Sequence, residues 1–544
     1  QMSSEEARRV SRRELLRYGA AGAAALGVPL VAGALPASAT GRRGLPARLG
    51  RALGARPGGA VKRGGTLKFA RSIAPTTLDP ANTIIAGDIY TLDKIIEPLY
   101  VTSPAGDLTP WLASGYSLSS NRKTYTFDLR PGIKFSDGKP LVAEDVVFSV
   151  NRSRSNAAGP LSFLDGAIVS VEADGTDRVV MHLSSPWAPF ISDISVFANG
   201  IMPAEFGGKS EKDYFSAPVG TGPFTISSFV PDAPSITLQA NPHYWQAGKP
   251  YLDAVELVYV DNDDQRVLQL QGGQADLIDL VPPSDVASLK GNADLVVDEF
   301  PAWEVDLLVM NEKLPYFADR HVRRAITYAI DRPALVAAAS FGTAKAGGSF
   351  FPPSLQYYSV STPVLAFSLP AAKAELAKSA YPKGFSTKLL IDGGVQKWVT
   401  FAELIKSQLA AIGIDVTITP LAHSAFEATF QKEDYEMFID YAINDISDPD
   451  EMASFELNAK NGGSDSYWSN YDNPAVTALV NAAEGEFDDA KRAALYAQIQ
   501  SMVAEDCPFV PLDYPPYIYA ASKSVQGFLA NPGGAYRLED VWLA

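Results

Sequence analysis

Hydrophobic and polar residues repeat with two different periods along this chain, and together they predict a mixed α/β fold. Residues 66–70 alternate as a half-buried strand does. Apolar side chains then recur every three to four residues from Ile85 onward, which is the spacing of one helix face, and this helix should end before Pro98. Residues 435–440 return to the alternation of a strand.

The same two patterns continue through the rest of the chain. Further strands are predicted in the stretches "KTYTFDL", "IKFS", "DAVELVYV" and "DVTITPL". Further helices are predicted in "AEDVVFSVNRS", "HVRRAITYAIDRPALVAAAS", "FAELIKSQLA" and "KRAALYAQIQSMVAED". Because strands and helices are interleaved throughout, the fold class is α/β.

Composition and charge limit the functions that this fold can serve. The chain has 544 residues, of which 47% are hydrophobic and 20% charged, and this length is sufficient for about two to four domains. The formal net charge of −16 argues against a nucleic-acid partner, because a phosphate backbone needs a basic surface. The one cysteine, Cys507, and the four histidines show no metal-ligand spacing, so neither a metal site nor a cofactor is predicted.

The N-terminal part has the three regions of an export signal. Arg12 and Arg13 are followed by a mild apolar run and then by Ala37, Ser38 and Ala39, a small-x-small cleavage site. The pattern resembles a twin-arginine export signal. An ordinary secretory signal with an incidental arginine pair is the alternative. No cysteine lies near the cleavage site, so a lipid anchor is not expected.

These features predict the fate of the first 64 residues. Residues 1–39 should be removed on export through the twin-arginine machinery. Residues 40–64 are predicted to be a disordered basic segment, the lead-in to the folded part. The mature protein is expected in the periplasm or secreted, and we expect it to be a monomer.

No catalytic constellation is recognisable in the sequence. It contains no G-x-S-x-G elbow, no phosphate-binding glycine loop, no H-E-x-x-H and no C-x-x-C. This favours a binding protein over an enzyme, although an exported enzyme remains an alternative.

The stretch "DYAINDISDPDE", residues 440–451, concentrates acidic residues directly after a strand pattern. A charge run of this kind is typical of a solvated loop. The other interpretation is a strand end that opens into a cleft, where one carboxylate meets a cationic ligand. Asp448, Asp450 and Glu451 fit turn and helix-start positions better than a ligand site.

An ordered set of motifs resembles one family of proteins. The set runs through "TLDPANTIIAGDIYTLDKIIEPLY", "FDLRPGIKFSDGKPLVAEDVVFSVNR", "PVGTGPFTI", "NPHYWQAGKPYLDAVELVYV" and "RRAITYAIDRPALV". It is similar to the extracytoplasmic solute-binding proteins of ABC importers that take up peptides and nickel chelates, from about Gly65 to the C-terminus.

The resemblance implies a type II periplasmic-binding-protein fold, with two lobes, an extra inserted domain, and a ligand cleft that closes between the lobes. The expected division is lobe I in 65–97, 216–312 and 516–544, an inserted domain in 98–215, and lobe II in 313–515.

The resemblance also implies where a ligand binds. Asp445 corresponds to an aspartate that holds the α-ammonium group of a peptide in relatives, although Ala442 stands where relatives often carry tryptophan. The other candidates for the cleft are Thr83, Ile84, Phe163, Trp303, Trp398, Tyr441 and Asn444. Ordinary core packing is the alternative for each aromatic residue.

The expected function is therefore to bind a small peptide-like solute and deliver it to the permease subunits of an ABC transporter. A non-peptide solute, such as an opine, an oligosaccharide, a metal chelate or an antibiotic-like amide, is the alternative within the same fold.

Overall fold

A computed structural model describes residues 60–156, 159–430, 432–458 and 469–544. The predicted signal peptide, residues 1–39, lies outside the described residues, as does most of the basic lead-in. Strands and helices alternate through the described chain, and the predicted α/β class is confirmed.

A seven-stranded mixed sheet, the first sheet, forms the core of one half of the molecule. In spatial order its strands are Leu295–Pro301, Pro516–Ser522, Leu277–Ile278, Thr66–Arg71, Ala254–Tyr259, Ser235–Ala240 and Phe224–Ile226. Thr66–Arg71 runs parallel to both of its neighbours, so these three carboxyl ends lie at the same edge of the sheet.

A six-stranded mixed sheet, the second sheet, forms the core of the other half. In spatial order its strands are Lys345–Ala346, Phe509–Tyr514, Glu304–Met310, Met437–Ile443, Ser386–Asp392 and Asp415–Leu421. Ser386–Asp392 runs parallel to the two strands beside it, which again brings three carboxyl ends to one edge.

Two crossings connect the sheets. Ala302 and Trp303 lie between Leu295–Pro301 of the first sheet and Glu304–Met310 of the second. Pro515 alone separates the last strand of the second sheet from the returning strand of the first. The first crossing thus lies about ten residues before the lobe boundary expected at 312/313. The division into lobes stays a prediction.

A smaller antiparallel sheet lies within residues 98–215. Its strands, in spatial order, are Ala113–Leu118, Thr124–Leu129, Arg178–Leu183 and Ile168–Ala173. Together with Ala143–Ser155 it encloses a hydrophobic core of its own. The remaining strands form three short pairs: Tyr100–Thr102 with Leu108–Pro110, Val525–Gln526 with Trp542–Leu543, and Leu529–Ala530 with Tyr536–Arg537.

The described α-helices include one at each stretch where the sequence predicts a helix, and several more. They are Ala86–Leu92, Ala143–Ser155, Phe190–Asp193, Glu211–Ser216, Asp263–Gln271, Val286–Gly291, Pro315–Ala318, Arg320–Ala329, Arg332–Ala339, Leu369–Leu376, Gln396–Ala410, His423–Phe430, Asp450–Leu457, Pro474–Gly485 and Asp489–Asp506. Short 3₁₀ turns lie at Pro80–Asn82, Ser162–Asp165, Phe197–Asn199 and Ala204–Gly208. None of the described helices has both the length and the hydrophobicity that a membrane span requires.

Two predicted elements differ from the structure. The helix expected to reach Pro98 ends at Leu92, because the carbonyls of Lys94 and Ile95 accept hydrogen bonds from Phe224 and Gly222 instead of continuing the helix. The strand expected in "IKFS" is absent from the described elements; only a bridge between Lys134 and Pro140 is present there, since the chain turns back at once.

Candidate functional site

A cavity of about 1450 Å³ lies between the two sheets. Residues at the carboxyl ends of strands in both sheets line it, among them Arg71 and Asp279 on one side and Asp392 and Tyr441 on the other. Open α/β sheets bind ligands outside the carboxyl ends of their strands. The position of this cavity therefore marks it as the candidate binding site.

The alternation at the end of strand Met437–Ile443 brings Asp445 to the cavity, which Asp440 and Glu451 also line. Successive side chains of a strand point to opposite faces. Tyr441, Ile443 and Asp445 accordingly line the cavity, whereas Ala442 and Asn444 are buried on the other face.

Asn444 does not line the cavity but shapes the loop that presents Asp445. Its side-chain amide donates hydrogen bonds to the carbonyls of Ile446 and, at 2.8 Å, Asp448, and its Oδ1 accepts one from the backbone N–H of Met452 at 3.0 Å. Asn444, which was predicted to contact the ligand, instead stabilises the loop through these hydrogen bonds. Its position does not support a contact with a ligand.

Asp445 offers a carboxylate to the cavity. Its backbone N–H donates to Oε2 of Glu451 at 2.7 Å, which fixes the main chain. The side chain is exposed to the cavity, and within the described residues its carboxylate makes no hydrogen bond or ion pair. Loss of hydration among the surrounding protein atoms raises the pKa of Asp445 to about 6.

Tyrosines surround this carboxylate. Burial raises the pKa of Tyr90, Tyr441 and Tyr517, and the negative charge of Asp445 adds to the rise in all three. Tyr90 and Tyr517 belong to the half of the molecule built on the first sheet, and Tyr441 to the half built on the second. Asp445 therefore lies where the two halves face each other across the cavity.

The two predicted tryptophans line the cavity and are also buried. Trp303 stands at the first crossing, and its indole N–H donates to the carbonyl of Ser354 at 3.1 Å. Trp398 lies 6.4 Å from the ring of Tyr441, and its indole N–H is 3.4 Å from Oδ1 of Asp306. Each combines core packing with one face toward the cavity.

Of the other three predicted residues, two line the cavity and one does not. Ile84 and Phe163 line the cavity and pack beside Ile446 in a small apolar cluster. Thr83 is buried away from the lining, and its hydroxyl donates to Oδ2 of Asp88 at 2.5 Å. Six of the eight predicted residues therefore line the cavity, and Thr83 and Asn444 do not.

Sequence reasoning missed several lining residues. Arg71, Tyr90 and Tyr517 come from the first sheet or the helix beside it and are far from residue 445 in sequence. Glu304 was missed as well, although a signal was available: Glu304 and Asp306 are the charged positions of an otherwise apolar strand. Charged residues at alternate positions of a buried strand indicate a face with a polar role.

Glu304 and Asp306 sit in different electrostatic settings. Asp306 forms an ion pair with Lys397, whose Nζ is also 3.9 Å from Oδ1 of Asp513. Glu304 is 8% exposed, lines the cavity, and makes no hydrogen bond or ion pair among the described side chains. Burial, with a smaller effect from Asp306, raises the pKa of Glu304 to about 8.

No metal-binding arrangement is present in the described part of the chain. No group of three or more histidine, cysteine, aspartate or glutamate side chains there is placed to hold a metal ion.

Sequence comparison assigns the chain to a known protein family. The family model for the middle part of the bacterial extracellular solute-binding proteins, family 5, matches residues 107–464, about two thirds of the chain. The chain belongs to this family. Family 5 proteins are exported solute-binding proteins.

Curated and solved relatives cover nearly the whole described chain. A di/tripeptide-binding protein 2 of Pseudomonas aeruginosa is 28% identical over 86% of this chain and 93% of its own length. A periplasmic binding protein of Helicobacter pylori, solved with a peptide, has 26% identity and a TM-score of 0.75, covering 89% of this chain and 98% of that one.

A third relative shows that the fold also serves a non-peptide solute. The binding protein AgaA of A. tumefaciens, solved with agropinic acid, has 27% identity and a TM-score of 0.75, covering 88% of this chain and 99% of that one. The type II periplasmic-binding-protein fold expected from the sequence is confirmed by these structures.

Proposed function

We propose that this family 5 protein captures a peptide-like solute by its free α-ammonium group and delivers it to the permease of an ABC importer. The observation that carries the proposal is the carboxylate of Asp445, which faces the cavity without an ion-pair partner among the described residues. A carboxylate in this position gains a charge-assisted hydrogen bond when an ammonium group enters.

The size of the cavity supports a peptide rather than a single amino acid. Small-molecule sites commonly measure about 300–1,000 Å³. The cavity here measures about 1450 Å³, which leaves room for a short peptide together with bound water. Peptide binding by the relatives from P. aeruginosa and H. pylori is consistent with this class of solute.

Delivery to a permease follows from the family and needs export. Our proposal includes a twin-arginine route, a mature protein without a lipid anchor, and a monomeric receptor. Replacing Arg12 and Arg13 together by Lys should leave the protein in the cytoplasm, as judged by cell fractionation, because paired guanidinium groups are what the twin-arginine receptor reads. Normal export of the Lys–Lys form would indicate the general secretory route.

A thermal-shift series separates the candidate solutes. Di- and tripeptides, opines and oligosaccharides would each be added to the mature protein. A ligand at 100 times its dissociation constant adds about 2.7 kcal/mol to the free energy of unfolding. The proposal expects this shift for unmodified di- or tripeptides; a shift for opines or oligosaccharides alone would replace the peptide by that solute.

A further inference from the structure

The lining of the cavity is strongly acidic. Twelve aspartate and glutamate side chains line it, against the permanently charged Arg71, Lys397 and Arg537. Most of these acids already have partners; for example, Asp392 accepts a hydrogen bond from His423 at 2.7 Å. Excess acid alone does not make a site, so the question is which carboxylate remains available to a ligand.

Glu304 is such a carboxylate. It is 8% exposed, it lines the cavity, and no hydrogen bond or ion pair engages it among the described residues. An ionised carboxylate that is buried without a partner is strongly unfavourable. A side chain in this state either keeps a proton or meets a cation that enters with the ligand.

Lys397 does not fill this role. Its ammonium group forms an ion pair with Asp306 and is 3.9 Å from Asp513, so one lysine already faces two other carboxylates. Both of those carboxylates are also buried. Glu304 is thus a third acid beside a single cation.

Glu304 also lies in the same part of the cavity as Asp445. It pairs across the strands with Ile443, two residues before Asp445 and on the same face of the sheet. The charges of Glu304 and Asp445 both contribute to the raised pKa of Tyr441 and Tyr517, after the larger effect of burial. A solute anchored on Asp445 therefore brings its first residues close to Glu304.

We propose that Glu304 binds a second cationic group of the solute, so that the protein selects peptides with a lysine or arginine side chain near the amino terminus. This inference rests on the proposed peptide-binding function and adds the substrate class. The basic side chain supplies, through a charge-assisted hydrogen bond, the ion-pair partner that Glu304 lacks among the described residues.

The groups that face Glu304 support this pairing. They are Asp306 on its own strand, Tyr441 on the next strand, Lys397 on helix Gln396–Ala410, and Tyr517 on the returning strand. Since the pKa of Glu304 is about 8, the side chain carries a proton at neutral pH. Binding of a cation should expel that proton, whereas a neutral side chain should leave it in place.

Calorimetry with matched dipeptides tests the inference. The probes are Lys-Ala and Ala-Lys against norleucine-Ala and Ala-norleucine, which have side chains of similar length without the charge. The wild-type protein should bind at least one lysine peptide about tenfold more tightly than its norleucine partner or better, as expected for a hydrogen bond between charged groups. Glu304→Gln should abolish this preference, so that the lysine and norleucine peptides of each pair bind the variant with equal affinity.

Proton release provides a second readout that general damage to the site would not reproduce. Calorimetry in two buffers of different ionisation enthalpy should show proton release with the lysine peptide on the wild type and none on Glu304→Gln. Equal affinity for lysine and norleucine peptides in the wild type would overturn the inference and leave peptide binding intact. If none of the four peptides binds, the proposed peptide function fails, and the inference fails with it.

Discussion

At the scale of single residues, the account depends on the difference between an acid that is paired and an acid that faces the ligand. Asp306 and Asp448 are paired with Lys397 and Arg492, so they contribute to structure. Among the described residues, Asp445 has only its backbone N–H engaged, so its carboxylate is available to the proposed ligand. The sequence identified Asp445 through family resemblance; the spacing of acids in 440–451 could not separate it from its neighbours.

Replacing Asp445 by Asn should weaken dipeptide binding by about 1.5–3 kcal/mol, the range for a hydrogen bond to a charged group. The fold should be unaffected, because within the described residues the carboxylate supports no other side chain. Asp472→Asn removes the same charge from an exposed position outside the cavity lining and is the matched control. Calorimetry that finds equal affinity for all three proteins would remove Asp445 from the site.

Dipeptide affinity should also depend on pH. Only the ionised form of Asp445 attracts an ammonium group, and the pKa of this carboxyl in the free protein is about 6. Affinity for Ala-Ala should therefore be highest near pH 7, below the pKa of about 8 at which the peptide's α-ammonium group loses its charge, and about tenfold lower at pH 5, where roughly one molecule in ten keeps the Asp445 carboxylate charged. Asp445→Asn should show no such decrease over this window, and a decrease of equal size in that variant would assign the effect to another group.

At the scale of elements, the acidic loop was only partly predictable. Asp450 and Glu451 open helix Asp450–Leu457, as expected for acids near a helix N-terminus. The interpretation as a solvated loop is wrong, because residues 446–450 are buried. The physical reason is Arg492, which comes from a distant helix and holds Asp448 in a buried ion pair. No local pattern in the sequence indicates that partner.

Replacing Arg492 by Met should lower the free energy of unfolding by about 3–5 kcal/mol, the cost of leaving one member of a buried ion pair without its partner. Burial raises the pKa of both Asp193 and Asp450, and the charge of Asp448 adds to the rise, so Arg492 is needed by the whole group. Chemical denaturation measures the loss.

The double variant Asp448→Asn/Arg492→Met provides the control for this prediction. It removes the uncompensated charge together with the arginine and should recover a large part of the stability. A loss below about 1 kcal/mol in the single variant, the range of an exposed pair, would contradict the structural role assigned to Arg492.

At the scale of the whole molecule, the loop after Asp445 also joins two parts of the fold. The backbone N–H of Asp448 donates to the hydroxyl of Ser192 at 2.9 Å, and that hydroxyl lies 2.9 Å from the hydroxyl of Ser447. The backbone N–H of Ala188 donates to the carbonyl of Glu484 at 2.7 Å. The loop that follows Asp445 thus contacts residues 98–215.

This arrangement predicts a closing motion about the two crossings. With saturating dipeptide the contacts of Ser192 and Ala188 should hold the halves together; without it they should open by rotation near Trp303 and Pro515. Small-angle scattering should give a smaller radius of gyration in the presence of the dipeptide. An unchanged radius at saturation would contradict a hinge at these crossings.

The family and the α/β class were available from the sequence because its motifs form an ordered set along nearly the whole chain. The exact partners in the cavity were not available. Glu304 comes close to Asp445 only when its strand pairs with Met437–Ile443, and Tyr90 joins them only when the two sheets face each other. Local periodicity carries no information on that juxtaposition.

The central claim is that Asp445 holds a free ammonium group of a peptide, and blocking that group tests it most directly. Calorimetry would compare Ala-Ala with N-acetyl-Ala-Ala on the wild-type protein at pH 7.5, where Asp445 is ionised. The account predicts that acetylation weakens binding by about tenfold or more, since it removes the positive charge and its hydrogen bond. Equal affinity for the two peptides would contradict it.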